Sequence, residues 1–214
     1  MAANASNTPR LRLDQWALAE MLDALDGTAY VTDIEGRLIC VGPQNWDSFA
    51  KENAGGTLVG SSSIGHRVTE GISGETVRSL YQRLHQVAVA GERRIAFTFR
   101  CDAPDVERRM KMAIGPLRSG GAVVGVIYQS TILSERARPP MRFMEAAAAL
   151  EQFKEDRGLI IASCSFCARI EWPTGNDGSW VDPEVYYQRG GVSEVRISHG
   201  VCPGCADGMA DLML

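Results

Sequence analysis

No stretch of the 214 residues approaches the ~20 consecutive apolar positions needed to cross a bilayer. The opening Met1-Ala-Ala-Asn-Ala-Ser-Asn lacks both the basic start and the apolar core of a secretory signal. A reducing, cytoplasmic setting follows as the expectation. No Gly-x-Ser-x-Gly elbow, phosphate-binding loop, His-Glu-x-x-His helix or phosphoacceptor set occurs, so no familiar catalytic constellation is readable and the chain is expected not to be an enzyme. An excess of positive charge is missing too: 22 Lys and Arg stand against 26 Asp and Glu, a net charge of −4. The deficit sits in one place. Residues 159–214 carry three Arg against seven acids, and the rest of the chain sums to zero. A nucleic-acid-reading surface is normally basic, so this distribution argues against DNA or RNA as a partner. Histidine is scarce, at three residues: His66, His85 and His199.

What remains has ordinary globular composition, 45% hydrophobic and 22% charged, at a length suited to one or two domains. Against it stand six cysteines, four of them in two C-x-x-C pairs, Cys164/Cys167 and Cys202/Cys205. A C-x-x-C turn lets two thiolates converge on one ion, and two such turns supply the four ligands of a tetrahedral structural Zn²⁺. Gly200, Pro203 and Gly204 give the second pair the tight backbone of a zinc knuckle. The 34 residues between Cys167 and Cys202 exceed the common spacing, so something folded must lie between them. The redox alternative needs a C-x-x-C at a helix start after a strand in a βαβ unit, and nothing near either pair shows that pattern in the sequence. Cys40 and Cys101 are isolated, without a readable partner.

Residues 1–10 read as a disordered terminus. From Leu11 to Leu25 apolar residues at three- and four-residue steps, including Trp16 and Met21, form an amphipathic helix that Gly27 stops. Two β-rich runs around Asp33-Ile-Glu-Gly36 read as a hairpin, and Asn45–Glu52 as a short helix with Trp46 and Phe49 inward. The Gly- and Ser-rich stretch 54–73 gives only turns and helical fragments. Glu75–Ala90 is a clear helix with Val77, Leu80, Tyr81, Leu84, Val87 and Ala88 on one stripe, closed by Gly91. Three strands follow: Arg93–Cys101, Arg108–Leu117 and Gly121–Leu133. In the first two, Ile95, Phe97 and Phe99 and Met110, Met112 and Ile114 alternate with polar residues. Arg138-Pro-Pro-Met-Arg142 reads as a linker, and Phe143–Asp156 as a helix.

A hairpin, small helices, one long helix and three antiparallel strands, in that order, resemble the PAS fold over about residues 15–134. Tyr30-Val-Thr-Asp-Ile-Glu-Gly-Arg-Leu-Ile39 and Gly91-Glu-Arg-Arg-Ile95 carry the likeness. The implied class is α+β: a PAS-like five-stranded antiparallel sheet with flanking helices, over residues 11–135, joined by a linker and helix at 136–158 to a zinc-stabilised module at 159–214. The resemblance implies a sensory role, a homodimer through the sensor domain and its N-terminal helix, and a separate output protein. PAS domains also hold haem, flavin or small ligands. The reactive-cysteine string of flavin photosensors is absent; His85, and less directly His66, is the candidate haem ligand. Phe97, Phe99, Met110 and Met112 are the candidate pocket wall.

The C-terminal segment resembles a module of bacterial PAS-containing signalling proteins: a C-x-x-C, a Trp, a Tyr-bearing helix, then Ser-His-Gly-x-Cys-Pro-x-Cys. Here these are Cys164/Cys167, Trp180, Tyr186 and Ser198–Cys205. Asp182-Pro183 reads as the start of that helix. Ala168 stands where the pattern leads one to expect a basic residue. Cys164, Cys167, Cys202 and Cys205 are the expected metal ligands, with His199 read as hydrogen-bonded behind them; a fourth-ligand role in a Cys₃His site and ordinary packing or solvent exposure are its alternatives.

Overall fold

The computed structural model describes residues 15–52, 60–91, 93–144, 159–172, 178–193 and 195–213. The helix expected at 143–156 lies, beyond its first residues, outside them.

Helix α1 (Gln15–Asp23) leads into the hairpin β1 (Thr28–Thr32) and β2 (Leu38–Val41). Asp33 closes its turn by accepting the backbone N–H groups of Glu35 and Arg37. Helices α2 (Pro43–Glu52) and α3 (Gly60–Ser63) and a 3₁₀ turn (Val68–Gly71) precede the long α4 (Glu75–Ala90). Val77, Leu80, Leu84 and Ala88 are its buried stripe, and Gly91 ends it at φ +75°, a left-handed conformation that favours glycine. Strands β3 (Ile95–Arg100), β4 (Val106–Ser119) and β5 (Ala122–Ala137) complete a sheet of order β2-β1-β5-β4-β3, antiparallel throughout.

This is a PAS-like fold. The N-terminal hairpin lies beside the last strand, and α4 covers one face while α1 covers the other. Leu18 and Leu22 of α1 are buried with Ala29, Val31 and Cys40 on that second face. Trp46 and Phe49 are only half-buried: Trp46 meets Tyr30 edge-on, and Phe49 lies under the Arg108 guanidinium.

The remaining residues form a second sheet, order β8-β7-β6-β9, from β6 (Leu159–Cys164), β7 (Ile170–Glu171), β8 (Trp180–Val181) and β9 (Val195–Gly200). Helix α5 (Pro183–Gln188), with Pro183 at its first position, lies between β8 and β9, and α6 (Pro203–Asp211) follows β9. Its core joins Ile161, Ile170, Val181, Tyr186 and Val195 to Met141 and Phe143.

That last pair corrects the linker expectation. Strand β5 runs on to Ala137 because Val106 and Glu107 extend β4 to pair with it. Arg138, Met141 and Phe143 are then buried, and the Phe143 N–H donates to the Tyr187 hydroxyl at 3.0 Å.

Candidate metal centre

Strands β6 and β9 are parallel neighbours with Cys164 opposite Gly200. Both strands therefore deliver their C-x-x-C turns at the same end of the sheet. The Ser165 N–H donates to the Gly200 carbonyl at 3.0 Å and stitches the two turns together. The first turn folds back through Ala168 N–H to Cys164 carbonyl and Cys164 N–H to Arg169 carbonyl, at 2.9 and 2.8 Å. Ala168 adopts φ +61° to do so, the sole non-glycine residue with positive φ among those described. That conformation costs an alanine about 1–2 kcal/mol, strain that the surrounding turn must impose.

The second pair opens α6. Cys202 is its N-cap, Pro203 its first residue, and Cys205 lies in its first turn. A helix N-terminus favours negative charge, which suits thiolates. The four sulfurs lie within 4.8 Å of one another, and Cys167 Sγ and Cys202 Sγ are 3.6 Å apart. A tetrahedron with metal–sulfur bonds of about 2.3 Å has edges near 3.8 Å, so the cluster is of the right size to hold a metal ion. Cys164 and Cys202 are buried; Cys167 and Cys205 are half-buried.

Protonation within the cluster is uneven. Cys164 is pulled far below the ordinary thiol value, first by the Cys167 thiol hydrogen bond and then by backbone N–H donors that include Cys202. Its partner is pushed up by that same hydrogen bond and by burial, and Cys205 is pushed up by burial and by the Cys164 charge. One thiolate is therefore present before any metal arrives. The protons on Cys167 and Cys205 must be displaced by the ion.

His199 departs from its expected place. Its side chain is exposed, outside the four-sulfur group, and among the described residues no hydrogen bond joins it to a sulfur. Its backbone carbonyl is what matters: a Cβ on Gly74, which has φ +84°, would come within 2.3 Å of that oxygen. The end of β9 that leads into the second cysteine turn is thus pressed against the start of α4. The redox exclusion also needs amending, because Cys202–Cys205 does sit at a helix start after a strand, and that strand is parallel to β6.

Sequence reasoning missed the junction altogether. Phe166, between the first two cysteines, is 3% exposed and sits among Tyr81, Phe97 and the α4 stripe. Its carbonyl accepts the Arg100 N–H of β3 at 2.8 Å, and Arg93 donates to the Leu212 carbonyl. Cys164, Phe166, Cys202 and Met209 share one apolar cluster with Leu80, Leu84, Phe97 and Ile114. A buried ion-pair network adds to this. Asp102 binds Arg100 and Arg138, and Arg138 reaches Glu184 on α5.

Phe97, Met110 and Met112 are buried, with Phe97 facing Met112 and Phe99 facing Met110 across the strand pair. Phe99 lines a cleft of about 430 Å³ beside Cys167 and Cys205. A separate cavity of about 410 Å³ lies under β1, β2 and α2, walled by Tyr30, Leu38, Trp46 and Ile72, with His66 and Arg67 also lining it.

His85 offers no lone pair to iron. Its Nε2 is 3.0 Å from the Ile34 carbonyl, which can only accept, so Nε2 carries the proton. Nδ1 then accepts the Tyr128 hydroxyl at 2.8 Å. Both nitrogens are committed, and the haem expectation at His85 fails on that geometry. His66 is largely exposed beside Glu70. Cys40 is buried beneath α1, and burial pushes the thiols of Cys40 and Cys101 up, away from reactivity. No described helix is long and apolar enough to cross a membrane.

No family model matches the sequence, and comparison with curated proteins gives no significant match. Solved structures similar in shape include the PAS domain of BvgS from Bordetella pertussis, 18% identical with a TM-score of 0.44, covering 66% of this chain and 97% of that one. A sensory box sensor histidine kinase from Vibrio cholerae is 13% identical at a TM-score of 0.39, covering 56% and 91%. VqmA of Vibrio cholerae, in a complex with ligand and DNA, is 16% identical at 0.42, covering 55% of this chain and 51% of its own. At such scores the PAS-like assignment stands on strand order and register.

Proposed function

We infer that this chain is a sensory or adaptor protein of the PAS type, cytoplasmic and without catalysis of its own, in which a structural Cys₄ zinc site holds the C-terminal module on the sensor core. One observation carries the reading: two metal-ligand cysteines, Cys164 and Cys202, belong to the same apolar cluster as the α4 stripe and β3. The four thiols match zinc in ligand type and number, and four protein ligands leave no open position for catalysis. Output then comes from a separate protein docked to this surface. Dimerisation through α1 is supported by Met21, an apolar side chain 62% exposed beside buried Leu18 and Leu22 on that helix.

Elemental analysis of the purified chain is expected to give about one zinc per chain, and light scattering a dimer that Met21→Lys converts to monomer. A folded chain free of zinc sinks the metal half of this reading; a monomer at micromolar concentration sinks the other.

A second reading, a small-ligand sensor, is favoured by the cavity under β1. The Tyr30 hydroxyl has no hydrogen-bond partner among the described residues, and Tyr30 lines that cavity. Burial holds its phenol well above the usual value, so it stays a donor. The nucleic-acid alternative finds no support in the acidic module.

A further inference from the structure

We propose that the cysteine cluster is also an oxidation site, at which a hydroperoxide entering through the adjoining cleft joins Cys167 to Cys202 as a disulfide and expels the metal. This rests on the metal-site reading above and adds a reaction to it.

Three observations converge. First, the site is sealed on one side only. Cys164 and Cys202 are 2% and 4% exposed, whereas Cys167 and Cys205 are half-buried and both line the cleft of about 430 Å³, across from Thr98 and Phe99 of β3. A peroxide is little larger than water, so that opening admits it directly to a ligand sulfur. Oxidation of thiolates follows such access. Second, a short sulfur–sulfur approach crosses between the two motifs: Cys167 Sγ lies 3.6 Å from Cys202 Sγ. Closing to a disulfide of about 2.05 Å takes an approach of the two sulfurs by about 1.5 Å. Third, Cys202 caps the nine-residue α6, where the helix dipole supports the thiolate that must attack second.

The electrons balance. The Cys167 thiolate attacks one peroxide oxygen; an S–O bond forms, the O–O bond breaks, and hydroxide (or alkoxide) leaves. The Cys202 thiolate then attacks the Cys167 sulfur; the S–S bond forms, the S–O bond breaks, and a second hydroxide leaves. Both oxyanions take protons from solvent. The two sulfurs together lose two electrons and the peroxide gains them. The metal keeps only Cys164 and Cys205 and departs.

The consequence reaches the sensor core. Phe166 is the neighbour of Cys167 and fills the space between Tyr81 and Phe97. Pulling Cys167 toward Cys202 draws on that plug and on the Arg100–Phe166 backbone bond.

The test uses the full zinc-loaded chain, with metal content measured first. Hydrogen peroxide is added beside a zinc-responsive dye, remaining thiols are alkylated, and disulfides are mapped by mass spectrometry. One zinc released per chain, together with a Cys167–Cys202 peptide, is the expected result. Thr98→Trp, which fills the cleft without touching a ligand, should retain zinc and slow its release by about fivefold or more. Disulfides confined to Cys164–Cys167 or Cys202–Cys205, or full thiol retention with zinc still bound, overturn the proposal and leave the metal site standing. No zinc at the outset overturns both. An unchanged release rate in Thr98→Trp overturns the cleft as the route.

Discussion

Phe166 and Tyr81 lie with their rings 12° from parallel and 6.1 Å between centroids, although 85 positions separate them. Phe97 meets the same Phe166 ring at 67° and 5.8 Å. An aromatic side chain carried inside a C-x-x-C turn is thus part of the core beneath α4. Phe166→Ala is expected to cost about 3–5 kcal/mol, the range for truncating a buried aromatic. Zinc content should be unchanged, since no ligand is touched. Urea denaturation read by both tryptophan fluorescence and metal release tests this. One transition shifted to lower urea is the expected outcome; a metal-release midpoint that does not move would show the two sheets to be energetically separate.

Metal affinity should climb steeply with pH. Before the ion arrives, Cys167 and Cys205 hold their protons, the first through its bond to the Cys164 thiolate and the second through burial. Binding must release both, so raising the pH favours the loaded form. The apparent zinc affinity is expected to rise by about two log units or more per pH unit near neutrality, as proton-coupled thiolate binding requires. A competition titration against a chromophoric chelator at several pH values measures the slope. A flat profile would mean that these two thiols are not displaced and are not ligands.

The long α4 was legible because its stripe recurs every three or four residues and Gly91 supplies a left-handed stop. The β3–β4 register was legible for the same kind of reason: Ile95, Phe97 and Phe99 alternate, and so do Ile114, Met112 and Met110, which turn out to face them in that order. The four clustered cysteines announced themselves through spacing. Where reading failed, the cause was a partner far away in sequence. Arg138 looks like linker because Pro139 and Pro140 follow it, and no local pattern points to Asp102 as the carboxylate that buries it. Phe166 looks like a spacer between ligands. His199 looks like a ligand's neighbour because His beside Cys suggests metal chemistry, whereas its β9 position leaves the ring outside and the carbonyl against Gly74.

Asp102 is expected to be among the costliest single positions to neutralise. Its side chain is 2% exposed, and that of Arg138, 3.0 Å away, is 3% exposed. It also accepts Arg100 Nε and the Arg108 backbone N–H, both at 3.1 Å. Asp102→Asn keeps the shape and removes the charge, leaving Arg138 with Glu184 at 3.4 Å as its remaining acidic partner. Breaking a buried pair from one side costs roughly 3–5 kcal/mol, because the other charge stays buried. Adding Arg138→Met should recover a large part of the loss. Denaturation of both single variants and the double variant gives the coupling; strict additivity would refute the network.

His85 sets an acid limit of its own. Burial is the first cause holding its pKa below the ordinary 6.5, ahead of the opposing Ile34 hydrogen bond and Asp33 charge, while Arg67 lowers it further. The unfolded chain therefore takes up a proton more readily than the folded one. Stability from the neutral ring is complete above about pH 6.5 and falls as the pH drops through that value toward the folded-state pKa. Protonation also places a donor on Nδ1, against a Tyr128 hydroxyl that now donates to it. A plot of Tm against pH should bend downward near that point in the native chain. In His85→Gln the bend should vanish, leaving the loss centred near the carboxylate range, where protonation of Glu107, held low by Arg136, removes another pair. Superimposable profiles for the two chains would show that the His85–Tyr128 contact has no part in the stability of the sheet it bridges.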